Sequence, residues 1–445
     1  MCVSLLLLLL VCGAQSSHFY GTVMTYYPKN TNADGSLTVV LRYKLSFHLF
    51  SSSNFWTCPS LNCGNQTSLE LNMVDQESSG EWFQREGIMT RQVPINSQFQ
   101  LELSGNAWIN NNYGISRWKA VTGVELGNRS DIRQANTSPQ TTILPALRVP
   151  SNCQRDFHLL DFDPDGDEVR CRYANSSLSE CTQCTTPSVL SLSESCILSF
   201  SPNSSVNEGP YIVQMVMEDF PRQTISLTQN GGLTVTSAIS KIPVQFAVRV
   251  DPAVPSCTEG LYLPRFLTPT PANKAQLYTP VNQTLSISVN AEANVSTTLE
   301  LLFSGPYNMN KSSLGAGRFL LRWTPSQEED GESHPICFVI QSITNSTTKY
   351  QSELRCVIVT VGNEPTITTA VPSTTPPVTG VSKQGVVAMR INISSASPLS
   401  EDFIRSTIIQ QIKDELVRKG LPSDITLRLV RSVQLGLTTR ATPVN

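Results

Sequence analysis

Four carboxylates fall within seven residues at Asp161-Phe162-Asp163-Pro164-Asp165-Gly166-Asp167. Crowded this closely they repel one another unless a cation or solvent relieves the charge, and hard oxygen ligands at this density suit Ca²⁺. The spacing Asp161-x-Asp163-x-Asp165-Gly166 matches the start of an EF-hand loop, but the twelfth position is Arg172 where a bidentate Glu is required, and the flanks read as strands. An EF-hand is therefore excluded. Two readings stay open: a Ca²⁺ site, and a solvated Asp-Gly turn joining two strands.

Cys181-Thr182-Gln183-Cys184 has the spacing of redox motifs and zinc knuckles. A redox thiol needs a helix N-terminus to lower its pKa, whereas Thr185-Thr186-Pro187 is a loop signal. A zinc site needs a second ligand pair, which Cys171 and Cys196 do not form. Structural disulfides are expected instead. Cys58 and Cys63 predict a local bridge, and Cys171 with Cys196 and Cys337 with Cys356 are expected to tie neighbouring strands; the partners of Cys153 and Cys257 stay open. No catalytic constellation is visible. His18, His48, His158 and His334 lie in no nucleophile, metal or phosphate motif, there is no Gly-x-Ser-x-Gly, and no Gly-rich loop opens a helix. The chain reads as non-catalytic, and Trp323 as a packing residue.

The remaining composition narrows the class. The 445 residues suggest about three domains, and 40% hydrophobic content is enough for each to bury a core. With 32 basic against 35 acidic residues and no like-charge block, nucleic-acid binding is excluded, because duplex affinity rests on clustered Lys and Arg. The Leu5 to Val11 run is far shorter than the roughly 20 residues of a membrane span and reads as a secretory leader over residues 1–17. Its removal takes Cys2 and Cys12 and leaves ten of the twelve cysteines, an even number fit for an oxidising compartment. Asn-x-Ser/Thr sequons at Asn65, Asn128, Asn136, Asn175, Asn203, Asn282, Asn294, Asn310, Asn345 and Asn392 agree with secretion. No later apolar run can span a bilayer, so membrane attachment is not encoded in this chain. It is expected to be secreted, or to stand at the cell surface if the natural protein continues past Asn445.

These groups must be positioned by strands. Residues 18–147 open with two β-rich runs flanking Asn32-Ala33-Asp34-Gly35, a hairpin signal, and further strands are expected at Phe99 to Leu103 and Trp118 to Leu126. Residues 148–255 carry the acidic turn between two strands and, later, Glu208-Gly209-Pro210-Tyr211 leading into a strand that ends at Asp219. Residues 256–362 alternate at Gln283 to Val289, continue through Phe319-Leu320-Leu321-Arg322-Trp323-Thr324-Pro325, and end in two Cys-bearing strands. Residues 363–383 are a Thr/Pro/Ser-rich, mucin-like linker. In residues 384–445 a strand at Val386 to Ile393, a helix over Pro398 to Lys419 with Ile404, Ile408, Ile412 and Leu416 at i+4 spacing, and a strand at Ile425 to Val430 are predicted.

Asp163-Pro164-Asp165-Gly166-Asp167, then Gly209-Pro210-Tyr211 and a strand closing on an Asp, resembles the dystroglycan-type cadherin-like and putative-Ig repeats. Residues 256–362 resemble a second copy in which Ala291-Glu292-Ala293-Asn294 replaces the acidic cluster. The strand-helix-strand piece after the linker faintly resembles the first half of a SEA-type domain. The resemblance implies β-sandwich modules, and it implies that Asp219 lies near the acidic turn, where such modules bind Ca²⁺. The expected fold is mainly β: an N-terminal β-domain, two tandem Ig/cadherin-like sandwiches and a small C-terminal α/β segment. The expected function is extracellular adhesion or recognition, with an unidentified protein or glycan ligand. A lectin-like or defence protein with its ligand site in residues 18–147 is the alternative, and a structural matrix or mucus component the third.

Overall fold

The computed structural model describes residues 18–48, 56–202, 207–229, 232–236, 238–344, 348–364, 409–411 and 413. The expected leader, the expected linker beyond residue 364, the sequons at Asn203, Asn345 and Asn392, and the strands predicted after the linker lie outside them. Residues 1–367 form one compact unit and residues 368–445 a second. In the second, residues 409–411 and 413 are helical, inside the helix predicted over Pro398 to Lys419.

The first unit is mainly β, as the alternating and β-branched patterns predict. Its first eight strands are β1 (Phe19–Thr31), β2 (Ser36–Phe47), β3 (Asn65–Gln76), β4 (Phe83–Pro94), β5 (Gln98–Asn106), β6 (Arg117–Glu125), β7 (Asn128–Arg129) and β8 (Ala146–Pro150). Asp34-Gly35 turns β1 into β2, with Gly35 at φ 79°. Next come β9 (Arg155–His158), β10 (Glu168–Tyr173), β11 (Leu190–Leu192), β12 (Ile197–Phe200), β13 (Gly209–Phe220), β14 (Ile225–Gln229), β15 (Gly232–Thr236) and β16 (Lys241–Asp251). The remainder are β17 (Arg265–Leu267), β18 (Ala275–Thr279), β19 (Leu285–Glu292), β20 (Thr297–Ser304), β21 (Asn310–Gly315), β22 (Arg318–Trp323), β23 (Ser333–Thr344), β24 (Thr348–Gln351) and β25 (Arg355–Val361).

One sheet runs through the first two expected regions. Its order is β10-β13-β16-β1-β2-β4-β3, with β5-β6 and β8 joining it at β16. β16 pairs with β13 along one edge from Gly209↔Val250 to Glu218↔Lys241. Its other edge is shared by β8, parallel from Ala247↔Ala146 to Asp251↔Pro150, by β1 at Val23↔Val244 and by β6 at Lys241↔Gly123. The expected boundary between Leu147 and Arg148 thus falls inside β8. Strands covered on both faces carry near-continuous apolar runs, and β1 and β16 are of this kind: the first nine residues of β1 are all buried. Gly21, at φ 132°, is required where β1 meets β16, since a Cβ there would overlap the Gln245 carbonyl oxygen.

The third region is a sandwich of β17-β19-β22-β21 against β18-β25-β23-β20, with β24 on β23. The alternation predicted from Gln283 turns Ile287, Val289 and Ala291 of β19 inward, against Leu321, Phe303 and Trp323. Trp323 is a core residue, as read, with its indole Nε1 donating to Asn308 Oδ1 at 2.8 Å. This sandwich meets the first sheet through buried charge: Lys44 Nζ donates to Glu86 Oε1 at 2.8 Å and to the Gly305 carbonyl at 2.6 Å, and Arg42 Nη2 reaches Glu332 Oε2 at 3.1 Å.

Candidate functional site

The acidic turn sits between β9 and β10, and the stretch after β7 wraps it. Gln140 N donates to the Phe162 carbonyl at 2.7 Å, and Thr137 N to Asp165 Oδ2 at 2.7 Å. Within the turn, Asp163 Oδ1 accepts from the amides of Asp165 at 2.9 Å and Asp167 at 3.1 Å, while Gly166 takes φ 83°. β10 pairs with the end of β13 at Val169↔Asp219, which brings Asp219 to the turn as the resemblance implied. Carboxylate oxygens of Asp163, Asp167 and Asp219 lie within 4.8 Å of one another, all three residues buried.

Three neighbours were not legible in the sequence. Arg129, its side chain fully buried, grips Asp167 with both terminal nitrogens at 2.5 and 2.9 Å, contacts Asp131 at 2.8 Å, and stands 3.6 Å from Asp165. Asn136 accepts from Arg129 Nη1 at 2.6 Å and donates through Nδ2 to Asp219 Oδ2 at 2.7 Å. Ser240 donates to Asp219 Oδ1 from its amide at 2.6 Å and its hydroxyl at 2.8 Å. Only the run Asn128-Arg129-Ser130-Asp131, an Arg beside an Asp in a polar stretch, could have hinted at the buried cation.

One guanidinium stands among five carboxylates, those of Asp131, Asp163, Asp165, Asp167 and Asp219, so negative charge is in excess. Burial, then the charges of Asp219 and Asp165, push the Asp163 carboxyl up to about 8. Burial raises Asp165 to about 6 against the pull of Thr137 N–H and Arg129. Burial also raises Asp219, opposed by its bonds from Asn136 and Ser240. Burial disfavours the Arg129 charge, but its bonds to Asp167 and Asp131 hold it firmly protonated. Asp163 Oδ2 is buried with no hydrogen-bond partner, and Asp163 is 8% exposed. An orphaned carboxylate oxygen beside two further carboxylates fits a hard cation better than a solvated turn.

Two expectations need correction. Asp161 does not join the centre: its Oδ1 accepts from Lys274 Nζ at 2.5 Å, the ammonium of a neighbouring strand connection drawing it outward. Asn136 cannot be a glycan acceptor in the folded chain, because it is 0% exposed and all of its amide is engaged in the centre. Asn65, Asn128, Asn175, Asn282, Asn294 and Asn310 are exposed.

The cysteines form Cys58–Cys63, Cys153–Cys257, Cys171–Cys196, Cys181–Cys184 and Cys337–Cys356. The Cys181–Cys184 loop is structural: Gln183 Oε1 accepts the amides of Ser116 at 2.9 Å and Arg117 at 3.0 Å. Cys153–Cys257, open in the sequence, fastens the start of the second region to the start of the third.

No family model matches the chain. Integrin beta-like protein E of Dictyostelium discoideum is 21% identical over 318 residues, 64% of this chain and 16% of that protein. Integrin beta-like protein C of the same organism is 20% identical over 374 residues, 76% of this chain and 19% of that protein. The chain therefore spans less than a fifth of these relatives' length. Among solved structures, the extracellular cadherin domains 3-6 of protocadherin gamma B2 are 9% identical, covering 77% of this chain and 92% of that one at a TM-score of 0.18. The N-terminal four Ig domains of Dscam1 isoform 9.44 are 9% identical, covering 78% and 74% at 0.14. An endo-fucoidan hydrolase of glycoside hydrolase family 107 is 12% identical, covering 72% and 41% at 0.18. The neighbours thus include cadherin and immunoglobulin domains of extracellular proteins. Among the described residues no helix is long and apolar enough to cross a membrane.

Proposed function

We propose that the chain is a non-catalytic extracellular glycoprotein of adhesion or recognition, stiffened by a calcium ion held by Asp163, Asp167 and Asp219. The observation that carries this reading is the orphaned Asp163 Oδ2 in a buried centre assembled from three separate stretches of chain. Calcium at that point would offset the excess negative charge and leave a stiff scaffold from which loops and sheet edges meet a partner. Arg129 and Asn136 would remain as the protein's own share of the neutralisation. The carboxylates serve no acid–base role in this reading, being buried and hydrogen-bonded within the fold.

The test is thermal melting of the full chain in millimolar Ca²⁺ and in chelator. A ligand at 100 times its Kd stabilises the folded state by about 2.7 kcal/mol, so the Ca²⁺ sample should melt several degrees higher. Coincident melting curves would remove the calcium. A surface-capture screen against cells, matrix proteins and glycans tests recognition, and the lack of any saturable partner would favour a structural matrix or mucus component. A lectin-like protein is the second reading, favoured by an open cleft beside the Cys58–Cys63 loop.

A further inference from the structure

A cleft of about 570 Å³ opens where the β5–β6 hairpin meets the start of β16. Its volume lies within the range of small-molecule sites. The wall includes Ser60 and Asn62 of the Cys58–Cys63 loop and Gln98 and Gln100 of β5. Two residues apart on one strand, the two glutamines share its outward face, about 7 Å apart, and both are exposed. Among the described residues neither side-chain amide has a hydrogen-bond partner. Each offers two N–H donors and one carbonyl acceptor.

The loop forming the adjoining wall is held in place. Arg91 Nε donates to the Cys63 carbonyl at 2.6 Å and its Nη2 to the Gly64 carbonyl at 3.0 Å, while Asn62 Nδ2 donates to the Gln98 carbonyl at 3.1 Å. With the disulfide, these bonds hold Leu61 at φ 59°, a conformation disfavoured for any residue with a Cβ. A wall fixed before binding loses little freedom when a ligand arrives.

The charges around the cleft are already matched. Glu218 is bonded to Arg172, and Lys241 to Glu180 at 2.7 Å. Apolar groups, Pro59, Phe99, Val124 and Ile239 among them, make up the rest of the lining. Paired donors and acceptors without free charge, set beside apolar surface, complement a sugar, whose hydroxyls donate and accept and whose C–H faces are apolar.

From this we infer that the cleft binds an uncharged saccharide through the amides of Gln98 and Gln100. The inference rests on the lectin-like reading. The full chain is applied to an array of immobilised neutral glycans, sialylated and sulfated glycans, and peptides, alongside Gln98→Ala/Gln100→Ala and, as a control on an exposed glutamine elsewhere, Gln92→Ala. The expected result is binding to neutral glycans that falls tenfold or more in the double variant and is unchanged in Gln92→Ala, with all three proteins melting at the same temperature. Binding only to acidic glycans or peptides, no glycan binding, or glycan binding that survives the double substitution would overturn it. A protein partner captured from cells without neutral-glycan binding sinks this inference and leaves recognition standing; calcium-dependent melting without any partner sinks both.

Discussion

Asn136 donates to Asp219 at 2.7 Å with both residues 0% exposed, and this single bond links the stretch after β7 to the end of β13. Because the amide also receives Arg129, it relays between the centre's one cation and its most buried anion. Peptide mapping of the protein expressed in a glycosylating cell should find Asn136 unmodified while exposed sequons such as Asn128 and Asn310 carry glycan. Asn136→Ala leaves two buried partners unsatisfied, at about 1–3 kcal/mol each, and should lower the melting temperature clearly. A glycan on Asn136 of the folded protein would contradict the geometry.

Arg129 is the other half of that relay. Removing one member of a buried charge cluster costs about 3–5 kcal/mol, because the remaining charges are left uncompensated. Arg129→Met should therefore destabilise strongly in chelator and regain much of the loss in Ca²⁺, so that its calcium-dependent rise in melting temperature exceeds the parent's. Equal melting of Arg129→Met and parent in chelator would show the guanidinium to be dispensable.

Acid should loosen the contact between the first sheet and the third sandwich. Burial works to raise the Glu77 carboxyl, but its bonds from Lys349, Ser79 and the Glu81 amide prevail and hold it down at about 2. A carboxyl lowered in the folded state stabilises above its ordinary value near 4.5, and that contribution is lost as the pH falls through about 2. The shift amounts to something on the order of 3 kcal/mol. Urea melts between pH 5 and 2 should show the fall, and Glu77→Gln should be less stable at pH 5 and flatter toward pH 2. Parallel curves for the two proteins would argue against a role for Glu77.

The disulfides should differ in worth according to the chain they close. Cys153–Cys257 spans 104 residues and Cys58–Cys63 only 5. Loop-closure entropy gives about 4–5 kcal/mol for the first and about 2 kcal/mol for the second. Denaturant titration of Cys153→Ser/Cys257→Ser and Cys58→Ser/Cys63→Ser should rank them in that order.

Local patterns carried far in this chain. Alternation, the Asp34-Gly35 turn and the Trp118 and Phe99 runs placed strands where they stand, and three cysteine pairings were expected, one from its short loop and two from neighbouring strands. What stayed hidden was long-range. Nothing in Phe19 to Tyr27 says that its partner lies at Val244, and nothing in a sequon says that Asn136 is walled in. The acidic turn was legible because its charges are adjacent in sequence. Its counter-ion was not, because Arg129 reaches Asp167, 38 positions further along the chain. Asp161 was misplaced for the same reason: Lys274 is 113 residues away.

The shared edge of β16 also sets a timetable for biosynthesis. Val23 and Val244 are separated by 221 residues of chain, which a ribosome adding roughly 5–20 residues per second needs about 10–45 s to deliver. Throughout that interval β1 has β2 along one edge, while on the other only Phe19 and Tyr26 find partners, at Ala107, Ile109 and Ser138, and the pairing with β16 waits. Completion one module at a time is closed to this chain, so its nascent form should depend on chaperones. A fragment ending at Leu147 would stay permanently in that unfinished condition.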